Sequence, residues 1–541
     1  MPFTACDQQR ITYADGQWAD VSIIHAPADS LRFQDLDPAP AYVRMRDAAR
    51  LRYFKARIRG EEAPLSIAWA ALEHDRPAQR MFPTLDTTSH DGEHFLSANS
   101  FITYVLRELV RHEWLRFRNG EWYAEVPASE PLWEERAVVI LHWLMAENRI
   151  WFDAGPGMPI PSRTQFTGCD PLLHVTAVGR CGYVRDMART TMPSAVFNTS
   201  FFLLEHDDYI SHYSAMGDPY GLLVADGSIR RPPLYRRSTL WQAADGTWQV
   251  SRIGMEDIRL HLPGETLILP PGSPADGLHF ALNSANSDSD PLIVYTRAFG
   301  IAEDGVPHGV TPESKGRFEL VIVDDTVKGW KRGGNLLIPQ NGFVLSFAVT
   351  RDGQPLQELG DLEPGIIALR HLLNGGTIGY SFDRPELRGM RQAQQNGPVL
   401  LREGQIVISD QTFAGEEYWL SRMEQDGYRF GIVPTEFPTD AGQTRAARIG
   451  IGIDTAGNLV IVAISGASKG IARPGIDSAG ATLMELAKQL QLAGAVEAIN
   501  LDGGGSTQVF VEGGLYNSPG DRRGRQGVTY ERLIPTVGVI D

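Results

Sequence analysis

Beyond residue 161 the chain is built from short apolar runs, and this limits the folds open to it. The runs are rich in β-branched residues and are bounded by glycine, aspartate or proline, as at 318–323 and 459–464. Short runs set between turn-forming residues are typical of β-strands rather than of helices. The sequence therefore predicts a large domain of mixed or antiparallel β-sheet with few helices at 165–541.

Residues 1–155 show a different sequence pattern. Segments 101–115 and 134–148 mix apolar and charged residues at helical spacing. Segment 156–164 is rich in glycine and proline, which is typical of a linker. We therefore expect a smaller, mainly helical domain at 1–155 and a linker at 156–164. The whole chain is predicted to be an α+β protein, and the N-terminal domain is a candidate contact for a protein partner or an oligomer.

Composition excludes several classes of function. A chain of 541 residues with 43% hydrophobic and 21% charged residues has the make-up of a globular protein with more than one domain. Its formal net charge of -16 argues against general binding to nucleic acid or to an anionic membrane. No apolar run approaches the roughly 18 residues of a membrane helix. The first residues lack the basic and apolar regions of a secretory signal, so we expect a cytoplasmic protein.

The C-terminal hundred residues predict a defined order of elements. Residues 448–453 alternate isoleucine with small residues, which predicts a strand whose glycine face is closely approached. Thr482 and Glu485 form a capping box, so a helix is expected to begin there and to stop at Gly494. Segment 496–501 is predicted to be a strand that leads into a glycine-rich turn, and 508–511 is predicted to be the strand that follows the turn.

The turn between these strands carries the chemistry-bearing residues, Asn500-Leu501-Asp502-Gly503-Gly504-Gly505-Ser506-Thr507. Three successive glycines lower the stability of the folded backbone, and a plain turn does not require three of them. They allow backbone N–H groups to approach a ligand in a concave nest suited to phosphate oxygens. Asp502 is therefore a candidate acid–base group, nucleophile or metal ligand. The alternative is a tight hairpin with a solvated aspartate.

This turn has two other interpretations. A P-loop leads from a strand into a helix and carries a lysine after the glycines, so the strand–turn–strand order and the missing lysine exclude it. The turn also resembles the second phosphate motif of the actin-like phosphotransferase superfamily, with 454–457 as the first. The two motifs lie far closer together here than in that superfamily.

Taken in order, the C-terminal motifs resemble the phosphodiester glycosidase family. Arg448 leads a strand, a helix follows, and 500–507 matches the family's loop at every position. Asn517-Ser518-Pro519 with Asp521, and then Glu531-Arg532, complete the pattern. Upstream, 195–202 is similar to a family segment in which two glycines follow the asparagine, whereas Thr199 and Ser200 stand here. The resemblance covers about residues 170–541.

The resemblance implies hydrolysis of a sugar–phosphate diester or a related glycosidic bond. Such a reaction needs charge stabilisation on phosphate and a carboxylate that activates water or attacks the sugar. Asp502 is the first candidate for that carboxylate and Glu531 the second. Arg448 is the predicted catalytic arginine, whose guanidinium pairs with the phosphate charge. The implied substrate-binding groups are the guanidinium of Arg532, the side chains of Asn198 and Asn500, the amides of Gly503, Gly504 and Gly505, and the hydroxyls of Ser506 and Thr507.

Each role has a plainer alternative. Arg448 could pair with Asp502 as a structural bridge, Glu531 could orient Arg532, and Asn198 could bond backbone in a turn. A non-catalytic binder of sugar phosphate or nucleotide is the competing class of function. No cofactor is predicted and a divalent metal stays open. The cluster Glu205-His206-Asp207-Asp208 with His212 has metal-ligand residue types, but its spacing fits no known metal site.

Overall fold

The computed structural model describes only part of the chain. The described residues are 6–36, 93–95, 112, 114–118, 121–124, 127, 181–203, 218–264, 266–284, 290–297, 299, 310–314, 316–336, 338–348, 350–351, 354–355, 372, 377–408, 444–467, 473, 475–523, 528–529, 531–532 and 534–541.

Strands dominate these residues. In chain order they are β1 Cys6–Thr12, β2 Trp18–Ala26, β3 Leu31–Asp35, β4 Glu93–Phe95, β5 Leu115–Arg118, β6 Glu121–Ala124, β7 Ala195–Asn198, β8 Leu223–Ala225, β9 Ser228–Arg231, β10 Arg237–Gln242, β11 Trp248–Ile253, β12 Ile258–Leu262, β13 Thr266–Leu269, β14 Leu278–His279, β15 Ala281–Leu282, β16 Leu292–Thr296 and β17 Arg317–Val323. The remainder are β18 Thr326–Arg332, β19 Gly342–Ala348, β20 Thr350–Arg351, β21 Gln354–Pro355, β22 Gly379–Phe382, β23 Gln392–Gln395, β24 Val399–Arg402, β25 Gln405–Ile406, β26 Arg448–Asp454, β27 Leu459–Ile464, β28 Ala495–Asn500, β29 Val509–Val511, β30 Gly514–Leu515, β31 Arg522–Arg523, β32 Val528–Thr529 and β33 Thr536–Ile540. The described α-helices are α1 Val184–Thr190 and α2 Leu483–Leu492.

The strands form several sheets rather than one. A seven-stranded sheet has the order β1-β2-β27-β26-β28-β24-β25, and a five-stranded sheet has the order β3-β33-β7-β29-β30. Three further sheets of at least four strands are β11-β10-β23-β8-β9, β14-β13-β12-β22 and β15-β16-β19-β17-β18-β4, and three two-stranded sheets are β5-β6, β20-β21 and β31-β32. Pairing is antiparallel except between β13 and β14 and between β15 and β16. No helix within the described residues is long and apolar enough to cross a membrane.

The prediction of an α+β protein with a mainly helical N-terminal domain is wrong. Residues 6–35 form three strands, and β2 pairs with β27 of the C-terminal region along six residues, from Val21 opposite Ile464 to Ala26 opposite Leu459. The signal that sequence reading missed is Asp15-Gly16 between two runs of strand-forming residues, a strong hairpin signature. Gly16 has the positive φ of +81° that this turn requires.

The other N-terminal predictions concern segments that lie mostly outside the described residues. The helix expected at 101–115 lies almost wholly outside the described residues, and its last residue begins β5. The helix at 134–148 and the linker at 156–164 also lie outside them. The domain boundaries therefore stay predictions.

The C-terminal predictions are confirmed. Helix α2 begins after Thr482, whose hydroxyl accepts from the Glu485 N–H at 3.1 Å, while the Glu485 carboxylate accepts from the Thr482 N–H at 2.9 Å. A Cβ on Gly450 would lie 2.9 Å from a methyl of Leu490. The glycine face of β26 is therefore the surface on which α2 packs.

The core places the seven-stranded sheet between two layers. On one face Leu483, Leu486 and Leu490 of α2 pack against the sheet. On the other face the isoleucines of β26, together with Ile461 of β27, pack against Phe33, Phe197 and Val509 of the five-stranded sheet. Burial of this apolar surface, at about 25 cal/mol per Å², fixes the two sheets together, and the chain between β28 and β29 has to cross from one to the other.

Candidate active site

The loop at 500–507 is the crossover between the two packed sheets. It makes a single 3-10 turn, Gly504–Ser506, between the end of β28 and the start of β29. Gly450 of β26 lies opposite Asn500 of β28, and Phe197 of β7 lies opposite Val509 of β29. Because these pairs are antiparallel, the start of β26 and the end of β7 meet at the loop.

Asp502 is a partly buried carboxyl at the start of the crossover. Burial raises its pKa to about 7, and the charge of Asp521 also raises it. Hydrogen bonds from the Ser506 hydroxyl and the Gly503 N–H, together with the charge of Arg532, lower the pKa but do not outweigh burial. A carboxyl with this pKa changes protonation near neutral pH, which suits acid–base chemistry.

The amides of the triple-glycine turn are largely bonded within the protein. The Gly503 N–H donates to the Asp502 carboxylate, and the Gly504 N–H donates to the Ala447 carbonyl at 2.7 Å. The amide of Ser506, which follows the three glycines, donates to the Gly503 carbonyl at 3.1 Å. The predicted phosphate nest would therefore have to break internal hydrogen bonds at Gly503 and Gly504.

The glycines are needed for close packing. A Cβ on Gly505 would lie 2.2 Å from an oxygen of Asp521, and a Cβ on Gly503 would lie 3.0 Å from the Ala447 carbonyl. Gly520 is equally confined, because its Cβ would lie 2.8 Å from the backbone of Gly504. The turn is therefore clamped between the start of β26 and the segment at 520–521.

Arg532 lies at the turn, as the resemblance implied, but it is engaged by a carboxylate. Its Nε and Nη2 donate to the two oxygens of Asp521 at 2.9 and 3.0 Å, in the bidentate geometry that favours strong pairing. Its Nη1 donates to the Ser506 hydroxyl at 3.3 Å. A continuous chain of polar contacts therefore runs from Asp502 through Ser506 and Arg532 to Asp521.

Arg448 also lies against the turn. Its Nη1 is 3.8 Å from the position that a Cβ on Gly503 would take, and the residue is 9% exposed. Its Nε donates to the Ala481 carbonyl at 3.1 Å and its Nη2 to the Thr444 carbonyl at 2.7 Å. These contacts fix the guanidinium beside Gly503 through neutral acceptors.

Asn198 bonds backbone at both ends of the loop. Its Nδ2 donates to the Asp502 carbonyl at 2.6 Å, and its Oδ1 accepts from the Gln508 N–H at 2.9 Å. The next residue, Thr199, accepts the Asp502 N–H at 3.0 Å through its carbonyl. The side chain of Asn198 thus joins the two sheets across the crossover.

Glu531 faces a different set of charges. Its carboxylate lies 3.7 Å from Nη1 of Arg185 on α1. Burial raises its pKa, while Arg185 and Arg189 lower it. Among the contacts of the described residues none joins Glu531 to Asp502, so the geometry favours Asp502 as the carboxylate at the loop.

Two buried polar atoms of the loop have no hydrogen-bond partner, the Oδ1 of Asn500 and the Oγ1 of Thr507. The amide nitrogen of Asn500 donates to the Gly397 carbonyl at 3.1 Å. Thr507 is fully buried. Buried acceptors and hydroxyls without partners are costly, which makes these residues notable at a candidate site.

Sequence reasoning left Asp521 and Asn517 out of the site, although both belong to the pattern that suggested the family. Asn517 accepts the Val509 N–H at 2.7 Å and donates to the Thr507 carbonyl at 2.8 Å. Asn517 therefore fixes the C-terminal end of the crossover, whereas Asn198 binds both ends. The missed signal was the short stretch 517–521, whose polar residues flank a proline and a glycine.

The acidic cluster at 205–212 lies outside the described residues. No group of three or more histidine, cysteine, aspartate or glutamate side chains in the described ranges is arranged to hold a metal ion.

Comparison with known proteins gives a family match and several structural likenesses. Residues 318–540 match the family model described as phosphodiester glycosidase. A hypothetical protein from Synechocystis is similar at 20% identity, over 66% of this chain and 54% of that one, with a TM-score of 0.35. The zebrafish N-acetylglucosamine-1-phosphodiester alpha-N-acetylglucosaminidase catalytic domain, auto-inhibited by pro-peptide, is similar at 12% identity, over 99% of this chain and 82% of that one, with a TM-score of 0.35. The chain spans about half the length of the Synechocystis protein. No curated protein matches the chain.

Proposed function

Because residues 318–540 belong to the phosphodiester glycosidase family, a family of glycosidase hydrolases, we propose that this protein hydrolyses a glycosyl phosphodiester with Asp502 as the carboxylate that acts. The observation that carries the proposal is the environment of Asp502. It is a partly buried carboxyl with a pKa of about 7, beside two arginines, on a turn that joins two rigid sheets. Perturbed carboxyls on rigid supports are characteristic of active sites.

The proposed reaction breaks the bond between the anomeric carbon and the phosphate oxygen. In one version ionised Asp502 takes a proton from water as the water attacks the anomeric carbon. In the other version the carboxylate attacks that carbon, and water then hydrolyses the resulting ester. In both the phosphate monoester leaves with the bonding electrons. Since phosphate leaves readily as an anion, a strong general acid is not required.

The negative charge of the diester would be met by guanidiniums rather than by the glycine amides. Arg448 is fixed beside Gly503, and Arg532 reaches the Ser506 hydroxyl. The amides of Gly503 and Gly504 already have acceptors. An arginine beside the developing phosphate charge stabilises the transition state more than it would in bulk water, since a partly dry site has a lower effective dielectric.

Hydrolysis in ¹⁸O-labelled water tests the proposed reaction. A panel of glycosyl phosphodiesters and nucleotide sugars would be incubated with the protein and the products weighed by mass spectrometry. Label in the released sugar is the expected result, since it means cleavage at the anomeric carbon. Label in the phosphate would mean that the phosphorus–oxygen bond breaks, and it would contradict a glycosidase. The same assay is run on Asp502→Asn, with Asp454→Asn as its matched control. Asp454 lies at the far end of β26, so its replacement should leave turnover unchanged.

A further inference from the structure

Asp521 is a second carboxylate beside the crossover, and no role has been assigned to it. Its oxygens occupy the space in which a side chain at Gly505 would stand, at 2.2 and 2.4 Å from that Cβ position. The neighbouring Gly520 N–H donates to the Gly504 carbonyl at 3.0 Å. Asp521 is therefore carried by backbone that is bonded directly to the turn.

The side-chain contacts of Asp521 lead to Asp502 through one arginine. Asp521 binds Arg532 bidentately, and the third nitrogen of the guanidinium donates to the Ser506 hydroxyl. Since that hydroxyl accepts from Arg532, its proton is directed to the carboxylate of Asp502, with which Ser506 forms a hydrogen bond. A bidentate pair fixes the plane of the guanidinium, which a single contact cannot do.

We propose that Asp521 is a positioning residue of the active site, which holds Arg532 on Ser506 and thereby directs the hydroxyl that contacts Asp502. The role in catalysis rests on the function proposed above. Asp521 itself does not need to touch the substrate.

Two effects of Asp521 on Asp502 have opposite signs, and this makes the proposal testable. The negative charge of Asp521 raises the pKa of Asp502, whereas the Ser506 hydrogen bond and the charge of Arg532 lower it and are the larger influences. If Asp521 holds Arg532 in place, its removal releases Arg532 and Ser506, and the pKa of Asp502 rises. If Arg532 stays in place without Asp521, the pKa of Asp502 falls.

The experiment compares Asp521→Asn, Asp521→Ala, Arg532→Gln and the double variant Asp521→Asn with Arg532→Gln. Asp383→Asn is the matched control, because Asp383 pairs with Arg259 at 2.6 Å, is also partly shielded from solvent, and directly follows β22, which belongs to a different sheet. We expect both Asp521 variants to lower kcat about 10- to 100-fold and to move the acid limb of the pH–rate profile to higher pH. We expect the double variant to lose little more kcat than Arg532→Gln alone, since Asp521 acts through that arginine.

A titration without substrate separates this proposal from the proposed function. Aspartate is labelled at the carboxyl carbon, and the ¹³C signal of Asp502 is assigned by its loss in Asp502→Asn. A higher pKa of Asp502 in both Asp521 variants supports the positioning role, even if the natural substrate differs from a glycosyl phosphodiester. An unchanged or lower pKa in either folded variant overturns it. Wild-type protein that turns over no diester, with the raised pKa still observed, would count against the proposed function alone.

Discussion

Asn198, the last residue of β7, donates to the carbonyl of Asp502 on the crossover loop at 2.6 Å, and the same side chain accepts the N–H of Gln508 at 2.9 Å. One buried amide thus fixes where the crossover leaves one sheet and where it enters the other. The resemblance to a known family had suggested a substrate contact for Asn198. Its described side-chain contacts are instead with backbone.

Asn198→Ala should therefore weaken both folding and turnover. One buried and one partly buried hydrogen bond are lost, and two backbone groups are left without these partners, so the free energy of unfolding should fall by about 2–4 kcal/mol. Urea unfolding measures the change, and kcat measured well below the unfolding transition should also fall. A variant as stable as the wild type would show that the amide does not hold the crossover.

Gly505→Ala should abolish most activity, whereas Gly504→Ala should be tolerated better. The new methyl at 505 would overlap the Asp521 carboxylate at 2.2 Å, so the pairing of Asp521 with Arg532 has to shift. At 504 nothing lies within 4 Å of the added atom, and only the φ of +60° is strained, at a cost of about 1–2 kcal/mol. Steady-state kinetics of the two variants, with unfolding curves for each, checks the contrast. Equal loss of activity at both positions would count against the packing argument.

The pH–rate profile should report Asp502. If the ionised carboxylate acts, kcat/KM rises with pH through an apparent pKa of about 7 and levels off above it. The profile is measured in buffers of constant ionic strength, because the nearby arginines make the pKa sensitive to salt. Activity that falls as pH rises through 7 would instead assign the protonated form.

The buried Glu319 carboxyl should make the stability of the fold depend on pH, and this effect does not involve the active site. Burial in β17 raises its pKa to about 7, although hydrogen bonds from Thr311 and Ser346 lower it. The folded protein therefore binds a proton on the Glu319 carboxyl more tightly than the unfolded chain does. The contribution of this proton to the free energy of unfolding is complete below pH 4.5. That contribution is lost as pH rises to about 7 and amounts to roughly 3 kcal/mol. Glu319→Gln should flatten this part of the curve of unfolding free energy against pH, and an unchanged slope would contradict the assignment.

The C-terminal elements were predictable because their signals are local. The capping box of Thr482 and Glu485, the turn after Asp454 and the glycines of β26 each act within a few residues. The N-terminal strands were missed because β2 pairs with β27, more than 400 residues away in sequence, and β1 in turn pairs with β2. The Asp15-Gly16 turn was the one local signal of the hairpin.

The sequence predicted which side chains meet at the loop, except for Glu531, but it did not predict their contacts. Sequence gathered Asp502, Arg448 and Arg532 at one loop, and the structure places all three there. It could not show that Asp521 already binds Arg532 or that the Gly504 amide is bonded to Ala447. Such pairings depend on the packing of two sheets, which no local pattern encodes.

The most direct test of the account is the turnover of Asp502→Asn beside its affinity for the same substrate. The amide preserves the shape of the side chain and removes its ability to accept a proton or to attack carbon. The account predicts a kcat lower by at least about a thousandfold, with the dissociation constant measured by calorimetry changed by less than about tenfold. Turnover close to that of the wild type would show that another group performs the reaction and would contradict the account.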